Sequence, residues 1–261
     1  MLYFFVAVFG LVIGSFLNVV IYRLEKGESI VTPSSHCTAC GTGLKPLDLI
    51  PVFSYTFLKG KCRYCSEKVS IRYPLVEFLT SVVFLILFLR YGLTMDFLFS
   101  IYIMSILIAV FFIDLDIKII PDQLVLAGLM GGVVPFVYNL FSPVVIYGDG
   151  RWFNPIIGMF SSSGILFLVA LISFAIYKSD EAMGMGDVKI FAPIGLFLGW
   201  RMASVALVVA IILGGIAGLI LLITGKKKRK EGIPFGPFIV TAVFITLLYG
   251  WHILNWYISL Y

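Results

Sequence analysis

Apolar runs of about twenty residues dominate this chain, and few architectures accommodate them. A segment of that length is what crossing the hydrocarbon core of a bilayer demands. Eight such runs are legible, at roughly 2–22, 74–90, 97–113, 122–141, 155–177, 188–200, 202–224 and 235–258. The sixth is short and interrupted by glycine and proline, so a tilted, broken or re-entrant segment is expected there. The 261 residues are 61% hydrophobic and only 13% charged, with a mean hydropathy of +1.06. Soluble domains sit near 45–50% apolar and 25% charged. The composition therefore excludes a soluble globular enzyme and a disordered chain. An outer-membrane barrel would show short alternating strands instead. The expected fold is an all-α polytopic membrane protein of about eight transmembrane helices.

Orientation follows from the basic residues of the short loops. If the first helix exits on the cytoplasmic side, 16 of the 19 Lys and Arg residues face the cytoplasm. They include Arg23, Lys26, Lys118, Lys178, Lys189 and the run Lys226 to Lys230, and only Arg90, Arg151 and Arg201 fall outside. Both termini then lie outside the cytoplasm. The first apolar stretch has no basic residues before it, and Arg23 follows it, which reads as an uncleaved anchor inserted N-end out. The run Lys226-Lys227-Lys228-Arg229-Lys230 reads as a topology anchor near anionic lipid, and the net charge of +5 calls for no nucleic-acid partner.

The chain divides into a first transmembrane helix at 1–22, one polar module at 23–73 and a core of about seven helices at 74–261. The module is too small to bury a large core and invites a metal or a disulfide framework. All four cysteines lie in it, as Cys37-x2-Cys40, then 21 residues, then Cys62-x2-Cys65. That spacing reads as a tetrahedral four-cysteine zinc site. Disulfides are disfavoured in a reducing compartment, and duplication of the pair argues against a redox motif. Gly41 and Gly60 suit the knuckle backbone, and four thiolates leave no open position, so the zinc is structural. His36 adjoins Cys37, but the four cysteines suffice without it.

Charged groups at membrane depth are costly and usually functional. Two clusters stand out: Asp114-Leu115-Asp116-Ile117-Lys118 through Pro121-Asp122, and Gly184-Met185-Gly186-Asp187-Val188-Lys189. By the topology above, both lie at cytoplasmic helix ends. Asp114 and Asp116 are two residues apart, about 200° around a helix, so only one can face a given partner. Asp114 follows the apolar run directly and is the deeper. Asp116 reads as a solvated interfacial residue, and Asp122 as a capping residue opening the next helix. Asp114 and Asp187 are the expected pair, sharing one proton so that one activates water and the other polarises an amide carbonyl. A buried ion pair of Asp187 with Lys118 or Lys178 is the structural alternative. Gly184 and Gly186 permit close approach of an extended substrate backbone. Glu77, near the start of the second helix, is a further acid at or in the membrane. Asn18 reads as a polar helix-packing residue, and Gly214 with Gly218 as small-residue packing.

These residues carry a family resemblance. The chain resembles the type IV prepilin peptidases, the bifunctional leader peptidases and N-methyltransferases of pilus and type II secretion systems. The match runs through Gly14-Ser15-Phe16-Leu17-Asn18, the cysteine pairs with Gly60-Lys61-Cys62, Arg72-Tyr73-Pro74-Leu75-Val76-Glu77, Asp114 to Asp122, Gly184 to Lys189 and Ile233-Pro234-Phe235-Gly236-Pro237. Thr38 and a long outer loop from Ser142 to Asn154 depart from the family pattern and leave these motifs untouched. The resemblance implies an intramembrane aspartyl protease of the GxGD type in the 74–261 core. Its catalytic aspartates map onto Asp114 and Asp187, with Gly184, Gly186, Lys189 and Glu77 in support. It also implies S-adenosylmethionine as methyl donor, with binding residues that the pattern does not reveal. Prepilins and pseudopilins are the implied substrates, and the cytoplasmic (inner) membrane the location. The competing expectation is a non-enzymatic scaffold or transporter with a zinc knuckle and an aspartate proton relay.

Overall fold

A computed structural model describes residues 1–177, 184–225 and 233–260. Lys178 and the basic run at 226–230, both used above for topology, lie outside the described residues. Among those described there is no β-sheet; the chain forms helices α1 (Leu2–Lys26), α2 (Phe53–Phe57), α3 (Arg72–Tyr91), α4 (Met95–Ile117), α5 (Asp122–Asn139), α6 (Asn154–Tyr177), α7 (Met185–Ile223) and α8 (Gly236–Ile258). The chain forms two compact units, Met1–Leu93 and Thr94–Tyr261.

In the first unit α1 and α3 pack along one another. A side chain at Gly10 or Gly14 would come within 2.6 Å of the Ser81 or Glu77 backbone, so the glycines set how closely the helices approach. Polar atoms bridge the same seam: Asn18 Nδ2 donates to the Tyr73 carbonyl at 3.0 Å, and Ser81 Oγ to the Ala7 carbonyl at 2.9 Å. Asn18 thus packs helices, as expected. Buried Arg23 then gathers the chain after α1 by donating to the carbonyls of Ser29, Ile30 and Pro33.

The second unit holds α4 to α8, with α7 packed against α5, α6 and α8. Thr94 caps α4, its hydroxyl accepting from Phe97 N–H at 3.3 Å. Helix α4 stops at Lys118, in the left-handed conformation at φ 55°. Pro121 then precedes α5, and Gly236-Pro237 opens α8 with proline in the first turn, where its missing N–H costs nothing.

Six of the described helices are long and apolar enough to cross a membrane: α1, α3, α4, α6, α7 and α8. The expected count of about eight is therefore supported only to this extent. Helix α5, with 18 residues, is too polar at its ends to stand among them. The runs 188–200 and 202–224 join in the 39-residue α7. A straight helix of that length would be about 58 Å long, twice the thickness of a hydrocarbon core. Instead Gly199, at φ 70° and ψ 169°, breaks it. Only glycine takes that conformation without strain. The short, broken sixth segment expected from sequence is thus the part of α7 before Gly199.

Candidate functional site

In the second unit, one cleft of about 380 Å³ is lined by both acidic clusters. From the end of α4 and its connection to α5 come Asp114, Lys118, Ile120 and Asp122; from the start of α7 come Gly184, Gly186, Asp187 and Lys189. Asp114 is 4% exposed, whereas Asp116 is exposed and stands outside the lining, as helical direction requires. Asp187 is half-buried and near enough to Asp114 for the two charges to interact. The Lys118 charge also reaches Asp114.

A third element meets Asp114. The backbone N–H of Gly236, first residue of α8, donates to Asp114 Oδ2 at 2.8 Å. A Cβ on Gly236 would lie 2.7 Å from that oxygen, so only glycine admits this approach. The motif Ile233-Pro234-Phe235-Gly236-Pro237 alone assigns Gly236 no task; its one sequence signal is a glycine directly before a helix-opening proline.

Two of the cleft's residues have partners that the sequence does not show. Asp122, in the first turn of α5 as expected, also pairs its Oδ1 with Lys189 Nζ at 2.7 Å across the cleft rim. The position suits a carboxylate through the positive end of the α5 dipole. Among the described residues Lys189 thus pairs with Asp122, while Lys178, an expected partner of Asp187, lies outside them. Gly186 lines the cleft and also serves the protein's own packing, since a Cβ there would press on Ile120 Cβ at 3.0 Å. Gly184, exposed at the N-cap of α7, would carry a Cβ only 3.1 Å from Asp187 Oδ2, so its bareness keeps that carboxyl clear.

Glu77 belongs to the first unit. It is 7% exposed, and its Oε2 accepts the Val52 N–H at 2.7 Å, holding Val52 at φ 62°. It lines a pocket of about 690 Å³ with Ser15, Asn18, Tyr22, Tyr55 and Tyr73.

The same unit gathers Cys37, Cys40, Cys62 and Cys65, all free thiols, with every sulfur within 4.8 Å of the others. A tetrahedral zinc with Zn–S bonds of about 2.3 Å needs sulfurs about 3.8 Å apart, and Cys37 Sγ lies 3.9 Å from Cys65 Sγ. The donor set therefore fits a four-thiolate metal. Two matching turns build it: Cys37 N–H donates to the Thr42 carbonyl and Gly41 N–H to Cys37, while Cys62 N–H donates to Glu67 and Ser66 N–H to Cys62. The left-handed residue is Gly41 in the first turn and Ser66 in the second. Gly60 instead precedes its cysteine pair and sits against the Tyr55 ring. Hydrogen bonding with Thr42 draws the Cys40 thiol down to about 6. Cys65 is pushed up to about 12: the Glu67 N–H pulls it down, but burial and the other three thiols outweigh that bond. Four crowded thiols cannot all ionise without a cation among them. His36 bonds to the Ser34 carbonyl and stands apart from the cluster.

Comparison with known proteins gives a consistent picture. The model of the bacterial peptidase A24 N-terminal domain matches residues 8–91, and that of the type IV leader peptidase family matches residues 101–219. A prepilin leader peptidase/N-methyltransferase of Aeromonas salmonicida is 34% identical, over 97% of this chain and 93% of the relative. Proteins of the same description from Legionella pneumophila and Bacillus subtilis are 34% and 31% identical, over 99% and 97% of this chain and 95% and 96% of their own lengths. No solved structure matches the chain.

Proposed function

The chain belongs to the type IV leader peptidase family, and from that premise we propose that it removes the short basic leader of prepilins and pseudopilins and methylates the new N-terminus. The observation that carries the peptidase half is the single cleft uniting Asp114 and Asp187. An amide carbonyl placed between two such carboxyls meets the parts of an aspartic protease. The ionised carboxylate takes a proton from the attacking water, and the protonated one donates to the carbonyl oxygen. Gly236 N–H occupies Oδ2 of Asp114, fixing the carboxyl's rotation and leaving Oδ1 for the chemistry. The exposed Lys189–Asp122 pair bridges the two strips of chain bearing the aspartates and ties the rim together.

The peptidase site lies wholly within 94–261, inside the core expected over 74–261. Lys118 and Lys189 flank the cleft. The positive-inside rule therefore puts it at the cytoplasmic face of the inner membrane, where a leader followed by an apolar helix presents its cleavage point. Both termini then lie outside the cytoplasm, and the apolar segments span the bilayer about eight times, with α5 and the two halves of α7 counted separately.

Zinc would be held by Cys37, Cys40, Cys62 and Cys65, closing two turns into one structural knot with no open coordination position. S-adenosylmethionine would supply an electrophilic methyl group. The 690 Å³ pocket of the first unit lies in the size range of small-molecule sites, and its lining sets buried Glu77 and three tyrosines beside the basic Arg23, Lys61, Arg63 and Lys68, a mixture that suits an aromatic ligand bearing both charges. The test is incubation of the detergent-purified protein with a prepilin and S-adenosylmethionine, read by intact mass. Loss of the leader followed by gain of one methyl group is the expected result; an intact prepilin would refute the reading.

A further inference from the structure

The helices that carry Asp114 and Asp187 are tied together, far from those residues, by one loop, residues 140–153, with a 3-10 turn at Val145–Tyr147; it meets α4 at its start and α7 at the break within it. In a continuous helix the Trp200 N–H would bond to the Leu196 carbonyl. Gly199 opens that link, leaving a donor and an acceptor in an apolar interior, where each unmet group is costly. The loop and the residue that opens α6 supply the two replacements. Tyr147 Oη, from a ring that is 1% exposed, donates to the Leu196 carbonyl at 2.7 Å. Asn154 Oδ1, fully buried, accepts the Trp200 N–H at 3.0 Å.

The clamp is itself held. Asn154 Nδ2 donates to the Tyr147 carbonyl at 3.2 Å and to Asp149 Oδ1 at 2.6 Å, while Asp149 Oδ2 pairs with Arg201 at 3.0 Å. At its other side the loop grips α4, for the Ile146 N–H donates to buried Asp96 Oδ1 at 3.1 Å. Asp96 is 18 residues before Asp114 on α4, about 27 Å along a helix. Gly199 is 12 residues beyond Asp187 on α7, about 18 Å. The bundle does not let the segment between slide freely. Ser162 Oγ of α6 donates to the Phe191 carbonyl at 3.1 Å, and a Cβ on Gly195 would strike the Gly158 carbonyl oxygen at 2.2 Å.

We propose that Tyr147 and Asn154 are positioning residues: by clamping the break in α7 and tying it to Asp96 of α4, they set the axial register of Asp187 against Asp114. This rests on the reading of those two aspartates as the catalytic pair. The loop carries no chemistry; it decides where two distant carboxyls end up. A stiff, tightly packed segment transmits a shift at one end to the other.

The experiment compares leader cleavage by the detergent-purified full chain, Tyr147→Phe, Arg201→Gln, Val145→Ala and Asp187→Asn. The kcat is counted per folded molecule, well below the lowest unfolding temperature, and KM for the prepilin is measured alongside. Tyr147→Phe keeps the ring and loses only the hydroxyl; it is expected to lower kcat about 10-fold with KM within about 2-fold, since misplacement by 1 Å costs on the order of 100-fold. Arg201→Gln, which removes the Asp149 ion pair and a cation–π contact with Trp200 but leaves both hydrogen bonds at the break in place, is expected to lower kcat about 3-fold at constant KM, a milder misplacement on the same scale. It carries the test if Tyr147→Phe fails to fold. Val145, 67% exposed on the same loop, is expected to tolerate alanine at the parent rate. Folded variants that lose thermal stability but keep the parent kcat would overturn the proposal. If Asp187→Asn itself still cleaves, the failure lies in the catalytic reading and not in the clamp.

Discussion

Replacing Gly236 by alanine tests the assembly of the cleft with the smallest possible change. The new Cβ would stand 2.7 Å from Asp114 Oδ2, 3.0 Å from Cγ and 2.9 Å from the Asp114 Cβ. Rotating the carboxyl relieves the first two contacts but not the third, because Cβ does not move when the side chain turns. Helix α4 or the start of α8 must therefore give by about 0.5–1 Å to restore ordinary contact, in an interior packed like a crystal. Asp114 is 4% exposed and its neighbours Val110 and Ile113 are fully buried, so there is no slack on that side. Overpacking of this kind costs about 1–3 kcal/mol of stability. The same displacement at reacting groups is worth about 10- to 100-fold in rate. The alanine N–H is still able to donate, so the experiment separates space from hydrogen bonding. Leader cleavage by detergent-purified Gly236→Ala is expected to show kcat down by about that factor with KM little changed. A folded variant cleaving at the parent rate would show that the Asp114–Gly236 contact is no part of the competent site.

Replacing Cys37 and Cys62 together by serine is expected to bring bound zinc toward zero, read by elemental analysis, and to expose the 23–73 module to proteolysis; unchanged zinc would count decisively against the site. Asp48 accepts from Arg63 Nε at 2.6 Å and from Tyr64 Oη at 2.8 Å, the two residues between Cys62 and Cys65. Its carboxyl is held below the usual range: burial raises it, but bonds from Tyr64, the Lys45 N–H and Arg63 prevail. Asp48→Asn is therefore expected to weaken zinc about 10-fold in a chelator competition, as loss of outer partners does elsewhere, and a parent-like affinity would contradict this. The Lys189–Asp122 pair is solvent-exposed on both sides, so Lys189→Gln is expected to change stability by less than about 1 kcal/mol. Its cleavage rate should stay within about 3-fold of the parent, whereas a complete loss would give Lys189 a direct part in the chemistry.

Long apolar runs made the helices legible, and α3, α4 and α8 fall within a few residues of the runs at 74–90, 97–113 and 235–258. The two cysteine turns were equally readable, because metal-ligand spacing is a local property. Helical periodicity set Asp114 apart from Asp116, and the structure buries the first and exposes the second. What escaped was whatever depends on a partner distant in sequence. Helices apolar all round carry no stripe to reveal their neighbours, so nothing in 202–224 announced that it continues 188–200 through a break at Gly199. Asp122 reads as a helix-opening carboxylate because that role is local, while Lys189, 67 residues away, is invisible as its partner. The loop at Ser142–Asn154 stood out only for its length; its hydrogen bonds to Leu196 and Trp200 exist in three dimensions alone. Gly236 likewise reads as a helix-start residue until Asp114 is placed beside it.

The central claim is that Asp114 and Asp187 together form the peptidase centre, and the most direct test is leader cleavage by single asparagine variants at both positions. Asparagine keeps the shape but cannot exchange the proton, and losing general acid–base function costs about 10²–10⁴-fold in rate. Purified Asp114→Asn and Asp187→Asn, folded and with zinc content like the parent's, are each expected to leave the prepilin leader in place by intact mass. Asp116→Asn, assayed beside them, is expected to remove it at close to the parent rate. Full cleavage by Asp114→Asn, or loss confined to Asp116→Asn, would contradict the account and move the first catalytic role to the neighbouring aspartate.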